Sequence, residues 1–111
     1  SMESQIAGLF QDIDTLKKDT KDNGKEIRHI YKRLETVFQK IGIVKYDAFK
    51  QMGGQLSYSL ALLDEGNNGF IINSVHSTDG CYSYTKEIKK GECEISLGEE
   101  EQQALNIAMN E

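Results

Sequence analysis

The sequence predicts an α+β protein: a long N-terminal coiled-coil-like helix, then a five-stranded antiparallel β-meander closed by a short C-terminal helix. Three observations predict it. Apolar residues recur at alternating spacings of three and four from Ile6 to Ile41. The period changes to two beyond Gly42, and Gly98 followed by three glutamates precedes a last apolar stripe. Residues 1–41 are expected to be an oligomerising helix. Residues 42–111 are expected to be a small sheet domain with its own C-terminal helix, packed on the end of the long one.

The helix rests on its seam. Ile6, Leu9, Ile13, Leu16, Thr20, Asn23, Ile27, Ile30, Leu34, Val37 and Ile41 occupy successive a and d positions of a heptad repeat. Proline is absent from the chain, so no ring clash breaks the run. Its weak point is the centre, where Thr20 and Asn23 are polar and Gly24 follows, a residue that costs about 1 kcal/mol relative to alanine in a helix. A hairpin bent at Asn23-Gly24 is the alternative. Its two arms would have no reason to share one heptad phase, so the unbroken helix is preferred. A stripe of this kind needs a partner, and a homo-oligomer is expected, a dimer before other states. Asn23, at a d position, is a candidate for fixing register, or faces water at a loosened turn.

Past Gly42 the pattern is that of strands. Residues 43–49 put Val44 and Tyr46 on one face and Lys45, Asp47 and Phe49 on the other. Met52-Gly53-Gly54 supplies a turn. Residues 56–64 alternate Leu56, Tyr58, Leu60 and Leu62, read as sheet core, against Ser57, Ser59 and Ala61. The small face admits close approach, in the first place by a helix of the same domain and in the second by a ligand or peptide. "GNNG" supports a tight turn, residues 70–77 and 81–88 form the third and fourth strands, and residues 92–97 a short fifth at the edge. Gly98 then caps a helix whose glutamates suit the positive end of its dipole and whose Ala104, Leu105, Ala108 and Met109 face inward.

Composition excludes several functions. The formal charge is −5, with +1 on residues 1–41 and −6 on the remainder, which repels phosphate backbones and argues against nucleic acid. Cys81 and Cys93 lack metal-ligand spacing and read as free thiols of a reducing compartment, a single bridge being the other reading. "DEGNNG" from Asp64 resembles half a calcium loop, but Gly66 and Val75 stand where ligands belong. His76 has serine neighbours, yet Ser77 points to the other face, so no triad follows and His76 reads as a partly exposed strand residue. Lys45 and Asp47 share a face, as an ion pair or as a polar docking spot with Asn73 or Ser57. No catalytic residue, metal ligand or cofactor is assigned, and an enzyme is not expected.

The segments "GIVKYDAF", "GGQLSYSLALLD", "NNGFIINSVHS" and "YTKEIKKGECEISLGEEEQQAL" together resemble the bacterial domain-of-unknown-function family 4446. The chain departs from that pattern with Lys45 for arginine, Tyr58 for phenylalanine and Gly98 for serine. The resemblance implies no catalytic residues. It implies a hydrophobic membrane segment ahead of the helix, so that Ser1-Met2 reads as a cloning remnant before the cytoplasmic portion of an anchored protein. The expectation is a non-enzymatic interaction module that oligomerises through its helix and binds a protein partner with its sheet domain. Asn23, Lys45, Asp47, Ser57 and Ser59 are the candidate interaction residues. The alternative is a small-ligand sensor with a pocket between sheet and helix.

Overall fold

The computed structural model describes residues 1–49 and 54–110, and the turn expected at Met52-Gly53 lies outside them. The chain divides into two compact units, residues 1–34 and the part from Glu35 onward. The first is one helix, α1 (Met2–Leu34), 33 residues long and unbroken at Asn23-Gly24. No helix among the described residues is long and apolar enough to cross a membrane.

The seam does not continue as helix to Ile41. A turn follows Leu34, and Val37 and Ile41 lie in the connector and the first strand. The reason is local. Glu35 would place a carboxylate at the negative end of the helix dipole, and Thr36, Val37 and Phe38 are poor helix formers. The sheet unit uses them instead: the Phe38 ring meets Phe70 edge-on at 5.3 Å, and the Gln39 N–H donates to the Leu63 carbonyl.

Four strands follow, β1 (Lys40–Tyr46), β2 (Ser57–Leu63), β3 (Gly69–Ser77) and β4 (Gly80–Ile88), then α2 (Glu99–Met109). They form one antiparallel sheet in the order β1-β2-β3-β4. The first strand begins three residues earlier than the alternation suggested, because Phe38 and Gln39 already join the sheet.

The expected fifth strand is absent among the described residues; after β4 only an isolated Lys89–Glu92 bridge pairs. Lys90 and Gly91 both take positive φ (52° and 79°), reversing the chain sharply. Lys86 Nζ then bonds the Ser96 carbonyl at 2.8 Å, and Cys93 and Leu97 pack on the core. The segment leaves the sheet edge to carry the chain to α2.

The core also lies on the opposite face from the one expected. Ala61, Leu63, Ile71 and Ile88 are buried with Ala104, Leu105 and Ala108 of α2. Tyr58 is exposed, and Leu60 and Leu62 are only half-buried. Small residues decide this, since α2 approaches so closely that a Cβ on Gly42 would stand 2.0 Å from the Ala104 carbonyl oxygen. The start of α2 is held by Glu101, whose Oε1 accepts the Gly98 N–H at 3.0 Å.

At one end of the sheet two turns lock together. Asp64 Oδ1 accepts the N–H groups of Gly66 and Asn68, both at 2.9 Å, and Asn67 sits at φ 63°. Asn68 Oδ1 and the Asn67 carbonyl then accept the N–H groups of Lys90 and Gly91. Asp64 is thus engaged in turn bonding.

Candidate functional site

A polar row crosses the covered face of the sheet. Cross-strand register sets Val44, Ser59, Asn73 and Tyr84 side by side, with Tyr46 and Ser57 one step along. Asn73 is its hub, only 4% exposed. Its Oδ1 accepts the hydroxyls of Tyr46 at 2.9 Å and of Ser59, while its Nδ2 donates to the Tyr84 hydroxyl at 3.0 Å. Ser59 and Asn73 can be buried only because the members of the row satisfy one another.

The row ends on α2 in an ion pair. Glu101 is 4% exposed, and its Oε1 receives Lys86 Nζ at 3.0 Å. The Tyr84 hydroxyl approaches the same oxygen at 3.5 Å, and the Lys86 ammonium also stands 5.4 Å over the Tyr84 ring. Glu101 Oε2 is buried with no hydrogen-bond partner. Burial raises the Tyr46 phenol above its ordinary value. The bond from Tyr46 to Asn73 works the other way, and the acidic groups of Glu100, Tyr84 and Glu101 add to the rise.

The candidate residues are not brought together as one set. Ser57 and Ser59 enter the interior, 1% and 0% exposed, with Ser57 Oγ accepting the His76 N–H at 2.9 Å. They are interior polar groups, not a surface for a partner. Lys45 is exposed on the opposite face of β1, across from Tyr58, and Asp47 is half-buried just past the strand. The expected Lys45–Asp47 ion pair is absent among the described residues. Asn23 is exposed on α1, in the other unit.

Tyr46, Tyr84, Lys86 and Glu101 were missed by sequence reasoning. The only signal in the chain was alternation in phase with Ser59, which needs the register before it can be used. Hollows open elsewhere. One of about 380 Å³ is lined by Glu87, Lys89, Cys93 and Ile95, and one of about 320 Å³ by Cys93, Leu97, Gln102 and Leu105. No group of three metal-ligating side chains occurs among the described residues.

No curated protein and no solved structure matches the chain. One family does, over nearly its whole length: matched across residues 1–109, the chain belongs to the proteins of unknown function grouped as DUF4446.

Proposed function

We propose that this protein is an interaction module that self-associates through α1 and offers the open face of its sheet to a protein partner. One observation carries the first part: none of the 33 residues of α1 is buried, although Ile6, Leu9, Ile13, Leu16, Ile27 and Ile30 form one stripe along it. Apolar surface left in water at a rate of about 25 cal/mol per Å² favours association that removes it. The second part is supported by the sheet face away from α2, where Ile43 (51% exposed) and Tyr58 stand with Lys45 beside half-buried Leu60, Leu62 and Ile72. The module acts in the cytoplasm, where Cys81 and Cys93, both free, stay reduced.

Sedimentation velocity at micromolar concentration tests it. The whole chain is expected to run as a dimer or larger species, and Ile13→Asp with Ile27→Asp as a monomer with an unchanged sheet spectrum. A monomeric parent chain overturns the reading. A second reading, a small-ligand sensor, is supported by the hollow of about 320 Å³ between the segment before α2 and Leu105. A metabolite that raises the melting temperature, and loses its effect when Leu105→Trp fills the hollow, would favour it.

A further inference from the structure

The stripe on α1 occupies positions a and d of a heptad repeat, and the helix that carries it runs unbroken from Met2 to Leu34. A second copy can cover it in either direction, and the two directions bring different residues together. A parallel pair sets a against a and d against d, while an antiparallel pair sets a against d. The polar seam residues Thr20 and Asn23, and the charges beside them, discriminate between the two.

Antiparallel pairing along the whole helix places Ile13 opposite Asn23 and Leu16 opposite Thr20. Each polar group then loses water to an aliphatic side chain and gains no partner. The flanks add like charges: Asp12 meets Glu26, and Asp19 and Lys17 each meet their own copies. Displacing this pair by one heptad matches Thr20 with Asn23 and Asp12 with Arg33. It also sets Asp19 against Glu26 and leaves Ile6 beyond the end of the other helix. Displacement the other way opposes Asn23 to Ile6.

The parallel, in-register pair has none of these conflicts. Thr20 faces Thr20 and Asn23 faces Asn23, so hydroxyls and amides, each both donor and acceptor, can bond across the pair. Asp12 at g lies beside Lys17 at e of the other copy, twice by symmetry, and no g position of α1 meets a like charge at e. A slip of one heptad would oppose both polar residues to leucine or isoleucine. The helix surface fits this pairing. A shallow hollow of about 310 Å³, lined by Ile13, Leu16, Lys17 and Thr20, has the composition of a hole for a d-position side chain. In this arrangement Leu16 of the second copy enters it.

We propose that the α1 stripe is covered by a second copy of this chain, parallel and in register, with Asn23 setting the register and the Asp12–Lys17 pairs the direction. This arrangement rests on the self-association through α1. Both chains then pass into their sheet units at one end of the pair, whereas antiparallel helices of this length would part the two exits by about 50 Å.

Leu9→Cys in the whole chain tests the direction, with the parent as control for Cys81 and Cys93. In the parallel pair the two substituted positions face each other within reach of a disulfide. Every antiparallel alignment above holds them more than about 15 Å apart along the axis. Under mild oxidation most of the variant is expected to become a covalent dimer, with peptide mass joining the two substituted positions. A charge swap reads the direction without a thiol. Lys17→Glu is expected to weaken association in sedimentation about three- to tenfold at low salt, and Asp12→Lys added to it to restore the parent affinity. If the parent associates but the folded Leu9→Cys dimer forms no such bond, or Lys17→Glu associates as tightly as the parent, the parallel pairing is overturned and self-association stands. A monomeric parent overturns both. Should Leu9→Cys not assemble, the charge swap decides.

Discussion

Glu101 depends on Lys86 more than on any other single group. Replacing Lys86 by methionine would leave a buried carboxylate with the Gly98 N–H and a long contact to Tyr84 as its remaining partners. Breaking a buried pair in this way costs about 3 kcal/mol. Urea denaturation should show that loss for Lys86→Met, and a smaller one when Glu101→Gln is added to it. Tyr46 makes a pH prediction. Its phenol is raised by burial in the folded state above the ordinary tyrosine value. Stability from that shift is fully present below pH 10 and falls as pH rises through the folded value. Stability measured from pH 8 to pH 11 should decline, and Tyr46→Phe should flatten the decline while lowering the plateau through the lost bond to Asn73. At this scale the chain revealed a small-residue face at Ser57 and Ser59 but not what they touch. Their hydrogen-bond partners, His76 and Asn73, both lie on β3, and the row that Ser59 joins runs on to Glu101, over 40 positions further along the chain.

Between elements, the closest approach is that of α2 to β1. A Cβ on Gly42 would collide with backbone atoms, the Ala104 carbonyl oxygen at 2.0 Å and the Ala108 nitrogen at 2.8 Å, which no rotamer change relieves. Gly42→Ala is therefore expected to cost about 2 kcal/mol, visible in thermal melts as a fall of roughly 8–16 °C for a domain of this size. Gly8→Ala is the contrast. It lies within α1 with open space around its would-be Cβ, and should gain about 1 kcal/mol of helix propensity. The existence of both helices and of four strands was legible, because each has a clear period or cap. The end of α1 was not. Val37 and Ile41 extend the heptad spacing, while their neighbour Phe38 packs on Phe70 in the sheet unit. "ECEISL" likewise alternates like a strand, but the reversal at Lys90-Gly91 and the Lys86–Ser96 bond carry it off the sheet edge.

For the whole molecule, the contrast between an unburied apolar stripe on α1 and a net charge of −5 sets the character of the proposed assembly. Association through apolar side chains should survive a rise from about 0.1 to 1 M sodium chloride, which screens charge pairs beyond about 3 Å. Sedimentation across that range checks it, and dissociation at high salt would point to charge pairing instead. The sheet unit has a simple topology, each strand pairing with the next in the chain, and neighbouring pairings of this kind close quickly. Only the cover arrives late: α2, which shields Ala61, Leu63 and Ile71, follows every strand in the chain. During translation the four strands thus emerge from the ribosome with their future interior still wet. Until α2 clears the exit tunnel, the nascent chain presents that greasy surface to chaperones and to its neighbours.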